Sequence, residues 1–428
     1  MGDRMTATTE PPPRIATLDI VRGVAVMGIL AMNIIAFAMP PAAYVNPLAY
    51  GIEGDADLAS WAFSFVLIDG KMRGLFSFLF GASMLLVIQK AAAKGENPAS
   101  IHFSRMLWLL LFGCLHFILI WYGDILTGYA TIGMIAWLCR DQEPRKLILL
   151  GGFFISLQAA LFASMAFGYF YVGHQVVQPG ADPELVKQWA EMQKDLGVPT
   201  ASELASQMRL YGGSWAGLVH HQLTEKLYEP LIMILVYGCE TLAYMLFGMA
   251  ALRNGFLTGD WADSRYRRIA LIGFAIAIPA YSLLAWLLWA DGFTVPMLVA
   301  LSMAATVPLR PVMIVAVAAL IILLTRSGGA LVERIAAAGR AAFTNYLGTS
   351  ILMTGLFYGW GLGWFGTMSR IELWPVVLAM WVLMLTWSKP WLDRFQYGPF
   401  EWLWRSLSRR SLQPMRRLLA PAGAEAVG

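Results

Sequence analysis

The stretch "LHFILIWYGDILTGYA", residues 115–130, sets His116 and Asp124 in surroundings apolar enough for lipid. Histidine changes charge near neutral pH, and with a carboxylate behind it, it can serve as a general base. Along one helix, eight residues would hold the two about 12 Å apart. A direct dyad therefore needs the corner at Gly123 to fold back strongly, and a partner for His116 is expected from another span. Asp124 follows Gly123 in a very short hairpin, where capping of the next helix accounts for it equally well. Capping does not exclude chemistry.

Other polar residues interrupt apolar runs. Asn33 lies about 20 Å and His116 about 17 Å along their spans from the same membrane face, so they share a depth. Glu240 falls near the middle of its run, where a carboxylate must be paired or protonated. Asp69, Lys71, Arg73 and Asp124 fall near the outer ends of their spans. Convergent helices would gather these groups around one outward-facing cavity. Each also has a plainer role. Lys71 and Arg73 can snorkel to headgroups, Asn33 can tie helices together, and His116 can be a neutral core histidine. Arg310 is bracketed by Pro308 and Pro311 in "PLRP". Near the inner face, Asp19 and Arg22 of "TLDIVRG" are three apart and can pair. Arg340 and Asn345 of "AAAGRAAFTNYL" stand at the entry to a span. Glu401 and Arg405 of "GPFEWLWRSL" are spaced i,i+4 on an amphipathic helix. His220 and His221 are adjacent and do not converge on a helix. Cys114, Cys139 and Cys239 form no CxxC pair, so no metal is expected.

The elements that must position these groups follow from composition. Of 428 residues, 58% are hydrophobic and 14% charged, with a net charge of +4. Ordinary soluble domains are about 25% charged. The repeated apolar runs predict an all-α polytopic membrane protein of about ten spans. They are 20–39, 72–89, 105–122, 124–139, 147–171, 231–252, 268–290, 311–325, 342–359 and 372–388. Lysines and arginines concentrate in alternate loops and in the tail from Lys389 to Arg417, which predicts cytoplasmic N- and C-termini. Residues 58–68 read as an outer interfacial helix leading into the second span. Pro308 and Pro311 predict a re-entrant or interfacial piece before the eighth.

The chain divides into a tail (1–19), a five-span bundle (20–172), an outer segment (173–229), a second five-span bundle (230–388) and a basic tail (389–428). In the outer segment, Asp182 and Pro183 start one amphipathic helix, and a Thr200–Glu203 capping box starts another. They form a lid or a connector. The start of the chain is polar and Pro-rich, unlike a signal peptide. Its Met-Gly with Thr6 formally matches a myristoylation pattern that a many-span protein does not need.

Five ordered motifs, "RIATLDIVRGVAVMGILAMNI", "GKMRGLFSFLFGASM", "LHFILIWYGDILTGYA", "GRAAFTNYL" and "GPFEWLWRSL", resemble the YeiB-like family of bacterial inner-membrane proteins, over about residues 15–410. The opening "LDIVRG…N" is more distantly similar to two groups of transmembrane acyltransferases. One acylates surface sugars. The other contains the heparan-alpha-glucosaminide N-acetyltransferases. That resemblance implies a transmembrane-acyltransferase-like bundle, acyl-CoA or acetyl-CoA as cytoplasmic donor, and an acceptor at the far face. It supports Asp19, Arg22 and Asn33 as positions of a shared site. The histidine of the first group falls on Asn33 here, and that of the second on Tyr44. His116 is then the remaining candidate base, with Arg22, Arg105 and Arg340 available to the donor. The expected partners are membrane lipids and a small-molecule, glycan or lipid substrate. A homodimer is left open, and no nucleic acid is expected. A transporter or flippase using Glu240 and Arg310, and a ligand sensor using the outer segment, are the alternatives.

Overall fold

In lipid every backbone N–H and C=O must find its partner within the protein, which restricts spans to helices or closed barrels. The computed structural model describes residues 15–194 and 196–417, and beyond one isolated bridge, Phe395 with Arg416, no strand occurs among them. The myristoylation-like start lies outside the described residues. In chain order the helices are α1 (Ala16–Ala38), α2 (Asp55–Leu67), α3 (Lys71–Ala93), α4 (Pro98–Leu119), α5 (Leu126–Ala136), α6 (Pro144–Val176), α7 (Pro183–Gln193), α8 (Ala201–Tyr211), α9 (Trp215–Thr224), α10 (Glu229–Arg253), α11 (Asp263–Asp291), α12 (Val295–Met297), α13 (Leu309–Thr325), α14 (Ala330–Arg340), α15 (Ala342–Phe357), α16 (Leu373–Arg394) and α17 (Pro399–Arg409).

Among the described residues, seven helical stretches are long and apolar enough to cross a membrane, and an eighth is formed if α12 and α13 count as one bent span. The sequence reading of ten included two elements that fold short. These are α5, with 11 residues, and α15, with 16. Over residues 58–68, α2 leads into α3 across a short turn at 68–70, and the two together make one 39-residue apolar stretch. At "PLRP" the helix is broken, as the two prolines predict. α12 continues as a π-helical turn over Leu298–Ala304, and the chain bends by 48° before α13.

Helix α1 is central: 72% of its apolar window is buried inside the protein, against 28% for α6, α11 and α16, whose apolar faces turn outward. Small residues let neighbours approach closely, as lipid-embedded interfaces require. A Cβ on Gly248 of α10 would lie 1.7 Å from the Phe78 carbonyl oxygen of α3, and one on Gly81 would lie 2.1 Å from that of Met245. α14 crosses α1 the same way: a Cβ on Gly339 would meet the Asp19 carbonyl at 1.8 Å.

The polar segment between α6 and α10 forms three helices, one more than expected. Asp182 caps α7, and Thr200 and Glu203 form the capping box of α8. The Thr200 backbone N–H and hydroxyl hold the Glu203 carboxyl below its ordinary value. The segment is docked, not trailing. The Trp215 indole donates to the Leu119 carbonyl at 2.7 Å, Tyr211 stacks on Phe365 at 4.6 Å, and Gly359 donates to the Tyr211 carbonyl at 2.8 Å. At the opposite end, Glu401 of α17 does not pair within its own helix. It caps α15, accepting from Phe343 N at 2.7 Å, Thr344 N at 3.1 Å and Thr344 Oγ1 at 2.5 Å.

Candidate functional site

Helix α4 ends at Leu119, and the Ile120 and Trp121 N–H groups both close onto the His116 carbonyl at 2.9 Å. The chain then reverses. Trp121 stacks on Phe37 of α1 at 4.0 Å, and the Tyr122 hydroxyl donates to the Ala36 carbonyl at 3.1 Å. These anchors swing Asp124 back beside the last turn of α4. Gly113 leaves room for it: a Cβ there would lie 2.5 Å from Thr127 N and 3.0 Å from Asp124 Oδ2. The expectation that His116 takes its partner from another span is therefore corrected. Its Nδ1 lies 2.9 Å from Asp124 Oδ1, because the helix stops early and the corner folds over a glycine.

The remaining carboxylate oxygen, Oδ2, accepts from Thr127 N at 2.8 Å and from Thr127 Oγ1 at 2.6 Å. Asp124 thus caps the start of α5 and orients the imidazole at once. Since its carboxylate is an acceptor, a ring hydrogen sits on Nδ1, and in a neutral imidazole the lone pair is then on Nε2. His116 Nε2 is buried and has no hydrogen-bond partner among the described residues. The Tyr346 ring of α15 lies 5.2 Å from the imidazole, and its hydroxyl accepts from Ile125 N at 3.3 Å. Tyr346 also lines a narrow crevice, with room for about one water, together with Asn33, Phe37 and Ser350. Tyr346 thus has His116 beside it and borders the same crevice as Asn33 of α1. Sequence reading singled out Asn345 and missed Tyr346, its neighbour. It also missed Thr127, although Asp-Ile-Leu-Thr has N-cap spacing.

The other polar residues do not share this site. Glu240, fully buried, accepts from Arg73 at 2.9 Å on one oxygen. On the other it accepts from Arg310 at 2.7 Å and the Tyr244 hydroxyl at 2.6 Å. Arg310 also donates to the Ser302 carbonyl at 3.1 Å, in the π-helical turn, and to Thr306 Oγ1 at 2.7 Å. Gly70, at φ 70°, permits this: a Cβ would lie 2.8 Å from Arg310 Nε. Lys71 does not snorkel. It is 1% exposed, donates to the Phe65 carbonyl and lies 3.4 Å from the Tyr281 ring centre. Asp69 sits at the same α2–α3 break, partly exposed. The single outward cavity expected from these residues is thus two clusters, with α5 between them. The Tyr129 hydroxyl of α5 donates to the Arg73 carbonyl at 3.2 Å.

At the other end, Arg22 pairs with Asp19 at 3.2 Å and donates to Ser83 Oγ at 2.5 Å, one end of α1 away from Asn33. Asn345 ties three helices. It donates to the Ala338 carbonyl at 3.0 Å and to Ser388 Oγ at 3.2 Å, and accepts from the Trp387 indole at 2.8 Å. Arg340 closes α14, partly buried.

Comparison with known proteins places this architecture. Residues 251–411 match the family model described as "Protein of unknown function (DUF418)". The chain is 33% identical to YeiB of Escherichia coli strain K12, over 94% of this chain and 98% of that protein. It is 30% identical to YxaH of Bacillus subtilis strain 168, over 94% and 96% of the two chains. A 39.9 kDa protein encoded in the amylase 3' region of Bacillus acidopullulyticus is 25% identical over 92% and 94%. All three are described as uncharacterized. No solved structure matches the chain. With its helical, multi-span architecture and end-to-end similarity to YeiB and YxaH, the chain belongs to the YeiB-like family of membrane proteins.

Proposed function

We propose that this protein is a transmembrane acyltransferase of the bacterial inner membrane. It moves an acyl group from acyl-CoA or acetyl-CoA, at a cytoplasmic face that holds both termini, to a glycan or lipid-linked acceptor at the outer face. The observation that carries the reading is the His116–Asp124 dyad, with Nε2 buried and unpartnered. Asp124 fixes the tautomer that leaves Nε2 basic. Nε2 takes the proton of an acceptor hydroxyl or amine as that atom attacks the thioester carbonyl. The C–S bond breaks, and the departing CoA thiolate takes up the proton from the imidazolium. A positioned base of this kind contributes about 10²–10⁴-fold in rate. Asn33, bordering a crevice with Tyr346, supplies an amide donor on the same side of the bundle. Arg22, Arg105 and Arg340 provide positive charge for the donor's phosphates at the end that holds α14 and α17.

A transport reading has one observation in its favour, the 48° break ahead of α13, because broken helices form ion and substrate sites in transporters. Here Arg310 takes up carbonyl and hydroxyl groups of that break, and Glu240 neutralises it. The test uses membranes carrying the wild-type protein or His116→Ala, supplied with radiolabelled acetyl-CoA. Label should enter a glycan or lipid fraction only with wild type. Equal incorporation by the variant would remove His116 from the reaction, and no acetyl-CoA binding by the purified protein would count against the whole class.

A further inference from the structure

Helix α4 turns a ladder of leucines outward. Leu107, Leu111, Leu115 and Leu119 are four residues apart, so they share one face, and they are 57%, 45%, 43% and 38% exposed. At 1.5 Å per residue the ladder is about 18 Å long, enough for one leaflet's half of a hydrocarbon core about 30 Å thick. Its foot is closed by another helix. Ser104 lies on the same face, three residues before Leu107, and its hydroxyl donates to the Ser408 carbonyl at 2.8 Å. The last turn of α17 is thereby set across the lower end of the ladder. The Trp404 indole holds it there, donating to the Arg105 carbonyl at 2.9 Å.

What α17 brings to that foot is positive charge. Arg405 and Arg409 are one turn apart, the first partly exposed and the second exposed, and Arg410 follows, also exposed. The Arg105 guanidinium of α4 stacks on the Trp404 ring at 4.1 Å, close enough to Arg405 and Arg409 to be repelled by both. Four arginines thus meet two carboxylates at this corner. Of those two, Glu96 pairs with Arg409 at 3.1 Å and Glu401 is committed to the cap of α15. The excess of positive charge is complementary to an anion, and a guanidinium fork matches a phosphate in particular. The leucines select the source of that phosphate, because a soluble anion would engage the arginines and leave the ladder unused. Indole rings beside the charges are what the headgroup level of a membrane favours, and basic clusters between helix ends at that level hold anionic headgroups. We propose that this corner binds an anionic phospholipid, with one acyl chain along the leucine ladder and the phosphate at Arg405 and Arg409. In the orientation given above it is a lipid of the inner leaflet. The inference stands apart from the acyltransferase reading and survives its failure.

The experiment measures lipid binding, not turnover. Full-length protein in detergent is titrated with phosphatidylglycerol or with phosphatidylcholine of the same acyl chains, and bound lipid is counted by native mass spectrometry. The first phosphatidylglycerol should bind at least about fivefold more tightly than the first phosphatidylcholine, and its affinity should fall with added salt. Arg405→Gln and Arg409→Gln should each weaken it about fivefold, the effect of one basic residue at an anionic headgroup. Arg409→Lys keeps the charge and should keep the affinity within about twofold. Leu111→Asn interrupts the ladder and should weaken both lipids. Glycerol phosphate and coenzyme A, added as soluble competitors, should not displace the lipid. Equal affinity for the two lipids, full affinity in both glutamine variants, or as large a loss in Arg409→Lys as in Arg409→Gln would overturn the inference. So would displacement by either competitor, and displacement by coenzyme A would assign the arginines to the acyl donor instead.

Discussion

Two buried polar clusters flank α5, and they are finished to different degrees. Around Glu240 both carboxylate oxygens are occupied, and Arg310 reaches the backbone of the broken helix. Around His116 one ring nitrogen is fixed by Asp124 while the other is left open. Charge in a membrane is costly wherever it sits, so cost alone does not mark function. The saturated cluster holds α3, α10 and α13 in register. Under the proposed function, the unsaturated one keeps a base ready.

Changes in the two clusters should therefore separate stability from activity. The largest loss of stability is expected from Glu240→Ala. It leaves Arg73 and Arg310 without their counter-charge and should cost about 3–5 kcal/mol, read as loss of folded protein in detergent melts. If Glu240→Ala melts like wild type but loses activity, the clusters' roles are reversed. Gly113→Ala comes next. Its methyl group would push against Thr127 N and Asp124, at about 1–3 kcal/mol, with turnover falling because the dyad is displaced. Thr127→Val removes one hydroxyl from the Asp124 cap and should cost about 1 kcal/mol with a modest loss of rate. The smallest effect belongs to the α8 capping box. The Glu203 carboxyl is held below its ordinary value, so its contribution is complete above about pH 4.3 and fades as pH falls through the lowered value. Amide exchange at the start of α8 should quicken in acid, and Glu203→Gln should remove most of that pH dependence.

Much of this arrangement was legible in the residues, and what was not shares a cause. The caps at Asp182 and Thr200, the Asp19–Arg22 pair, the break at "PLRP" and the need for partners at Glu240 all rest on contacts within a few residues or on a single cost. The identity of Glu240's partners does not, because Arg73 and Arg310 are 167 and 70 residues away. The hairpin misled for another reason. No glycine or proline stops α4 at Leu119, so a continuous helix kept His116 and Asp124 apart on paper. Only tertiary anchors, Trp121 on Phe37 and Tyr122 on Ala36, end it early. Asn345 and Tyr346 show the same limit. Adjacent residues on a helix face different neighbours, and only the packing of α15 shows that Asn345 ties helices while Tyr346 faces the histidine.

The most direct test of an open, oriented base at His116 is acyl transfer by Asp124→Asn. Asparagine keeps an oxygen for Thr127, so the cap and the fold survive. Its amide donates to Nδ1 and drives the ring hydrogen to Nε2, where the lone pair is needed. Turnover should fall by at least about 10²-fold with an unchanged melting profile and unchanged acetyl-CoA binding. Wild-type turnover in that variant would contradict the account.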